Sequence, residues 1–266
     1  MQILRTIAEV RAARSEWPGD RVGLVPTMGA FHEGHLSLIR AARAANERVA
    51  VSLFVNPTQF APGEDLERYP RDEPRDLALA EEAGVDVLFA PTAEEMFRPG
   101  HVTWVDVGAL GTILEGAVRP GHFRGVATVC LKLFDIVQPA RAYFGRKDAQ
   151  QVTVLRRMVA DLDVPLELCV VPTVREPDGL ARSSRNAYLS PDERERALAL
   201  PRALEAGVAA HRAGDDPVAA ARTILEATAG LTVDYVALAD LDGPTLAAAV
   251  RVGRTRLIDN VLLPSP

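Results

Sequence analysis

The stretch RVAVSLFVN, Arg48 to Asn56, is a short, near-continuous apolar run rich in β-branched residues. A run of this kind suits a strand covered on both faces, as at the centre of a parallel sheet. Just before it, EGHLSLIRAARAANE (Glu33 to Glu47) carries its apolar residues at helical spacing. RVGLVP (Arg21 to Pro26), earlier still, is a second strand candidate. Strand, helix and strand make a βαβ unit, whose crossover is right-handed. Parallel strands then need helices on the sheet's faces, and that requirement removes all-α and all-β folds.

The theme repeats along the chain. PRDLALAEEAGVD reads as a helix ended by Gly84, and VDVLFAP as a strand. GHFRGVATVCLKLFDIVQP is a helix pattern, ARAYFG a strand, AQQVTVLRRMVADL a further helix, and VPLELCVVPTV the last strand of the main sheet. Near Val174 the character changes to a Pro-Asp-Gly turn and a polar Ser-Ser-Arg-Asn loop. Ser190 and Pro191 then stand as helix N-cap and first-turn residue. Two Ala-rich helices and the alternating stretch TVDYVALADL follow. The expected fold class is α/β: a Rossmann-like doubly wound parallel sheet with a smaller C-terminal α+β domain. The expected domains are residues 1–174 and 175–266.

Composition limits the function classes. The 266 residues are 48% hydrophobic and 25% charged, with a formal charge of −6, so bulk electrostatics gives no reason for general nucleic-acid affinity. A local basic pocket for an anionic small molecule remains allowed. No apolar run approaches the roughly 20 residues that span a bilayer. MQILRTIAEVRAARSEW is an amphipathic pattern interrupted by charge rather than a secretory signal, so the expected location is the cytoplasm. Cys130 and Cys169 have no metal-ligand or CxxC spacing and read as ordinary buried thiols.

In open α/β sheets ligands bind outside the carboxyl ends of the strands. Four polar, Gly-containing segments follow strand candidates at that end. In PTMGAFHEGH, His32 and His35 lie on one face of a helix start, between Gly29 and Gly34. Three readings are open there: a phosphate held by backbone amides, helix dipole and imidazole donors; two polar residues decorating a helix start; and a metal site, for which no third ligand is apparent. In NPTQF, Gln59 can donate and accept at once, which suits a hydroxy acid or carboxylate. In GRKDAQQ, Lys147 offers a mobile point charge, and Asp148 a helix cap or a magnesium-water partner. Gln150 and Gln151 point to different helical faces, so at most one enters the crevice. Arg182 to Arg185 concentrates two hydroxyls and two guanidinium groups, a good anion clamp or a solvated loop. RPGHFRG, Arg119 to Gly125, is similarly ambiguous.

PTMGAFHEGHLSLI, SLFVNPTQFAPGEDLERYPR, RPGHFRGVATVCLKLFDIVQPARAYFGRKDAQQ and REPDGLARSSRNAYLS, in this order, resemble the pantoate–β-alanine ligases (pantothenate synthetases). The resemblance runs through most of the first 190 residues and resumes at DYVALADLDGPTL and RVGRTRLIDN. That family belongs to the HxGH nucleotidylyltransferases, here with HEGH. The resemblance implies ATP-dependent joining of (R)-pantoate and β-alanine through a pantoyl adenylate, with magnesium as cofactor and a homodimer as the assembly. It implies an ATP site at Met28, Gly29, Ala30, Phe31, His32, Glu33, Gly34 and His35, at Gly145, Arg146, Lys147 and Asp148, at Val174, and at Arg182, Ser183, Ser184 and Arg185. His35 is then the proton donor, with His32 beside it. Lys147, Ser183, Ser184 and Arg185 complete the catalytic set. Gln59 would meet pantoate and β-alanine, and Gln151 pantoate. The sequence departs from the family pattern at Phe31, Arg146, Ala149 and Arg182, none of which removes a catalytic group. A related nucleotidyltransferase acting on a phosphorylated acceptor is the alternative, disfavoured by the two glutamines.

Overall fold

The computed structural model describes residues 1–17 and 21–264. Its chain forms two compact units, one of Met1–Gly145 with Val154–Val171, the other of Arg146–Thr153 with Pro172–Pro266.

The first unit is built on a six-stranded parallel sheet, β1 (Gln2–Leu4), β2 (Val22–Thr27), β3 (Arg48–Leu53), β4 (Val87–Phe89), β5 (Arg141–Gly145) and β6 (Glu167–Val171), in the order β1-β4-β3-β2-β5-β6. Its helices are α1 (Ile7–Ser15), α2 (Glu33–Ala45), α3 (Glu73–Glu82), the short α4 (Ala93–Met96) and α5 (Glu115–Val118), α6 (His122–Val137), and most of α7 (Ala149–Asp161). The doubly wound parallel sheet expected from the sequence is the observed fold. From β2 the chain winds toward β3 and β4, and from β5 toward β6 on the other side. The neighbours β2 and β5 therefore form the switch point, where such sheets open a crevice at the strands' carboxyl ends.

The burial pattern follows the sequence logic. β3 is buried from Val49 to Ser52, and α2 sets Leu38, Ile39 and Ala42 against Val25, Val49, Val51 and Leu88. The N-terminal segment, read as one amphipathic pattern, splits instead. Gln2–Leu4 pairs with β4 as an edge strand, and Thr6 caps α1 in a reciprocal capping box with Glu9. Three residues are too few for a strand to declare itself by periodicity.

The second unit holds α8 (Pro191–Ala197), α9 (Ala199–Ala213), α10 (Pro217–Ala227) and the antiparallel sheet β7 (Leu231–Asp240), β8 (Pro244–Val252) and β9 (Thr255–Leu262). Ser190 caps α8 through its hydroxyl, with Pro191 in the first turn, as the sequence indicates. Leu200, Leu204 and Leu225 pack with Leu246, Ala248 and Val250 of β8. One segment departs from the expected boundary at Val174: Arg146–Thr153 belongs to the second unit. The Arg146 guanidinium explains part of this. It donates to the Leu241 carbonyl (2.8 Å), Thr245 Oγ1 (3.1 Å) and the Asp242 carboxylate (3.1 Å) at the β7–β8 turn.

Candidate active site

Residues 28–32 leave β2 and turn into α2. Gly29 has φ +87°, and a Cβ there would stand 2.6 Å from Leu53 Cδ1 and 2.9 Å from Asp76 Oδ2. Backbone conformation and space thus both demand glycine. Ala30 is also left-handed, at φ 53°. Asp76 of α3, buried, sustains this geometry: one carboxylate oxygen accepts from Ala30 N and the other from Phe31 N, both at 2.7 Å. Arg75 donates to the Phe31 carbonyl at 3.2 Å. Burial raises the Asp76 pKa and outweighs the two amide bonds, which lower it. The Phe31 side chain is sealed in the core with Leu38 and Ile39.

The two histidines begin α2. His32 is its N-cap and His35 its third residue, in a reciprocal capping arrangement. Gly34 N donates to His32 Nδ1 (3.1 Å), and His32 N donates to His35 Nδ1 (3.3 Å). An Nδ1 that accepts from an amide leaves the neutral ring's proton on Nε2. The rings lie with centroids 4.1 Å apart, and Phe31 flanks His35 at 5.5 Å. The sequence expectation of several backbone amides for an anion narrows here: the amides of Ala30, Phe31, His32, Gly34 and His35 have protein partners, and the imidazole N–H groups are further donor candidates at this turn. Glu33 forms an ion pair with Arg40 on the surface of α2.

Gln59 ends a 3-10 turn, Pro57–Gln59, capped by Asn56. The buried Asn56 amide donates to Gln59 Oε1 (3.1 Å) and to the Gly125 carbonyl (3.3 Å). Gln59 Nε2 in turn donates to Met28 Sδ at 3.2 Å, which joins the 56–60 loop to the histidine turn. A thioether is a weak acceptor, so a carboxylate or hydroxyl oxygen would displace it at little cost. Met28, Leu53, Phe54, Asp72 and Asp76 border a cavity of about 250 Å³ beside this junction.

The RPGHFRG segment, ambiguous from sequence, lies beneath this loop. The Gln59 carbonyl can only accept, so His122 Nδ1 donates to it (2.9 Å), and His122 Nε2 accepts from Arg119 Nη1 (3.1 Å). Arg119 forms a bidentate pair with Glu64, both contacts at 2.7 Å. Burial raises the Glu64 pKa, but the Arg119 hydrogen bond and charge prevail and hold it below the usual range. Burial and the Arg119 charge push His122 down to about 4. A neutral His122 is thereby built in. Gly125 closes the packing: a Cβ there would lie 2.4 Å from the Thr58 carbonyl oxygen.

In the second unit, Lys147 Nζ lies 3.5 Å from Asp148 Oδ1. Gln150 is buried while Gln151 is partly exposed, as the differing faces require. Val174 O accepts from Arg182 N at 2.9 Å. Ser183 caps a 3-10 turn, Ser184–Tyr188, by accepting from Arg185 N at 3.2 Å. Asn186 braces the loop through Glu176 and the Ala181 carbonyl. Arg182 Nε is buried without a hydrogen-bond partner. Sequence reasoning missed Asp76, whose helix gives no hint that its carboxylate serves a turn 45 residues away. Among the described residues no group of three or more His, Cys, Asp or Glu could hold a metal ion, so the histidine pair is not part of such a cluster.

Comparison with known proteins agrees with this architecture. The pantoate–β-alanine ligase family model matches residues 2–262. Pantothenate synthetases of Roseiflexus castenholzii and Moorella thermoacetica are 57% and 54% identical, each aligned over 99% of this chain and 99% of the relative. The crystal structure of pantothenate synthetase from Thermus thermophilus superposes with a TM-score of 0.95 at 50% identity, covering 99% of this chain and 100% of that one. A pantoate–β-alanine ligase from Francisella tularensis, complexed with β,γ ATP and β-alanine, gives 0.87 at 34% identity, over 98% and 97% of the two chains. Fold, motifs and full-length similarity converge: this chain belongs to the pantoate–β-alanine ligase family.

Proposed function

We propose that the chain condenses (R)-pantoate with β-alanine at the expense of ATP, in two steps. The pantoate carboxylate attacks the α-phosphorus of ATP, forming pantoyl adenylate and releasing pyrophosphate. The β-alanine amine then attacks the acyl carbon, giving pantothenate and AMP. The observation that carries this reading is the bond from Gln59 Nε2 to Met28 Sδ, which brings an amide suited to a hydroxy acid onto the turn that leads into the paired imidazoles of His32 and His35. The alternative, a nucleotidyltransferase with a phosphorylated acceptor, has no comparable support.

The nucleophile is already ionised, so catalysis rests on positioning and on neutralising charge at the phosphates. The Nε2–H of His35 stabilises the charge growing on the phosphates and donates a proton toward the leaving group, with His32 beside it. Met28 and the turn through His35 hold the nucleotide, Phe31 and Asp76 acting from the core side. Gln59 orients both organic substrates, and Gln151 orients pantoate. Gly145 to Asp148 and Val174 add nucleotide contacts. Lys147 reaches the phosphates, and Arg182, Ser183, Ser184 and Arg185 contribute further donors. These assignments rest on the motif match and on the local geometry of each segment.

Magnesium enters with ATP in this reading. The chain has no cluster that could cage a metal among its described residues. Magnesium tolerates this, because it keeps several waters and binds phosphate oxygens with only one or two carboxylates. Asp148, half-exposed beside Lys147, is the carboxylate proposed for it. When bound, the ion neutralises phosphate charge. A homodimer and a cytoplasmic location complete the proposal. No described helix is long and apolar enough to cross a membrane.

The test is pyrophosphate release from ATP and magnesium with and without pantoate, followed by β-alanine addition. Pantoate-dependent pyrophosphate and β-alanine-dependent AMP are expected. Folded protein that releases no pyrophosphate with pantoate would sink the reading.

A further inference from the structure

Asn260 sits in β9, buried, opposite Ala247 of β8. Its side-chain amide donates to two successive backbone carbonyls, those of Arg146 (3.0 Å) and Lys147 (2.8 Å). Both acceptors are carbonyls, so the orientation of the amide is fixed by chemistry. Its own Oδ1 is buried with no hydrogen-bond partner. An apolar residue would fill a strand position in this core without that cost, so packing does not account for an asparagine here. The two carbonyls do.

Those carbonyls belong to the peptide planes on either side of the Lys147 Cα. One side chain therefore restrains both the φ and the ψ of the lysine. Lysine carries a compact charge on a flexible four-carbon stem with no planar fork to orient it. Its aim is consequently set by the backbone it leaves. The supports of Asn260 are rigid in turn. Asn260 N donates to Asp259 Oδ1 (2.8 Å), and the buried Asp259 carboxylate is held by both terminal nitrogens of Arg175 (2.6 and 3.1 Å). From the other side, the Arg146 side chain grips the β7–β8 turn. The Lys147 turn is thus tied to the C-terminal sheet at two separate points.

We infer that Asn260 is a positioning residue for adenylate formation and acts through Lys147 by locking the two peptide planes that flank it. The inference rests on the reading of Lys147 as a phosphate-directed group. A lysine serving the departing phosphates matters when pyrophosphate leaves, and not when the amine later attacks the finished adenylate. The two half-reactions therefore separate this role from a general structural one.

Asn260→Asp keeps the shape and removes both donors. Single-turnover pyrophosphate release should slow by roughly 10–100-fold, the scale of a misplaced catalytic group, while conversion of supplied pantoyl adenylate and β-alanine is unchanged. Combined with Lys147→Ala, Asn260→Asp should cause little further loss, because residues acting as a unit are not additive. Equal slowing of both half-reactions, or full additivity with Lys147→Ala, overturns the inference. Asn260→Thr, which suits a strand and lacks the amide, carries the same comparison if the aspartate variant does not fold. Undiminished pyrophosphate release by Lys147→Ala alone would remove the lysine's assigned role, and with it the inference, while leaving the ligase reading intact. Loss of pantoate dependence in the unaltered protein would remove that reading itself.

Discussion

The imidazoles of His32 and His35 lie 4.1 Å apart, centroid to centroid, and each turns its Nδ1 onto a backbone amide at the start of α2. The pair therefore has two functions at once. The Nδ1 atoms cap the helix, and the tautomer this imposes puts a donor at each Nε2.

A prediction follows for His35. His35→Ala removes one donor from the proposed phosphate site and should slow pantoate-dependent pyrophosphate release by roughly 10²–10³-fold, the cost of one donor in comparable sites. His35→Gln can place an amide near the former Nε2 and should recover part of the rate. His35→Asn, whose amide sits nearer the former Nδ1, should not. If glutamine and asparagine behave alike in rapid-quench measurements, the Nε2 assignment is wrong.

Asp76 makes the histidine turn possible, because its two oxygens hold the amides of left-handed Ala30 and of Phe31. Asp76→Asn confronts one of those amides with an NH₂ group. Leaving a buried donor unsatisfied costs about 1–3 kcal/mol. The expected result is a loss of that size in denaturant unfolding, together with slower adenylate formation. Unaltered stability and rate would show that the turn holds its shape unaided.

Much of this was legible in the sequence, for physical reasons that differ from residue to residue. The Val49–Ser52 strand and the α2 stripe of Leu38, Ile39 and Ala42 declare themselves because burial imposes a period on neighbouring residues. Ser190 and Pro191 declare a helix start because capping is local. Asp76, Asn56 and Asn260 do not, since each acts on backbone distant in sequence and leaves no pattern around itself. The membership of Arg146–Thr153 in the second unit was illegible for the same reason. It depends on Arg146 meeting the turn near Asp242 and Asn260 meeting two carbonyls, partners about a hundred residues along the chain.

Gly125 packs against the loop that carries Gln59. A Cβ there would meet backbone, 2.4 Å from Thr58 O, 2.6 Å from Thr58 C and 2.8 Å from Gln59 N. Backbone atoms cannot rotate aside as a side-chain tip can, so Gly125→Ala must displace residues 58 and 59. If Gln59 orients both organic substrates, KM for pantoate and for β-alanine should rise while KM for ATP stays near its original value. A uniform rise in all three would indicate a general disturbance rather than a displaced Gln59.

His122 gives the stability of the protein a defined pH dependence. Its ring is enclosed by Arg119 on Nε2, the Gln59 carbonyl on Nδ1, and the nearby carboxylates of Glu64 and Glu115. Burial and Arg119 lower its pKa to about 4, whereas in the unfolded chain it should titrate near 6.5. Between these values the unfolded chain binds a proton that the folded chain refuses. Stability therefore rises with pH across this window, and this contribution is flat above about 6.5 and below about 4. Its full extent is on the order of 3 kcal/mol. Denaturant unfolding of the wild type should show that loss on acidification through the window, superposed on the carboxylate contributions. His122→Asn keeps a donor near the Gln59 carbonyl but cannot titrate, so its stability should fall less steeply over the same range. Parallel curves for the two proteins would mean that His122 is not held neutral by the fold.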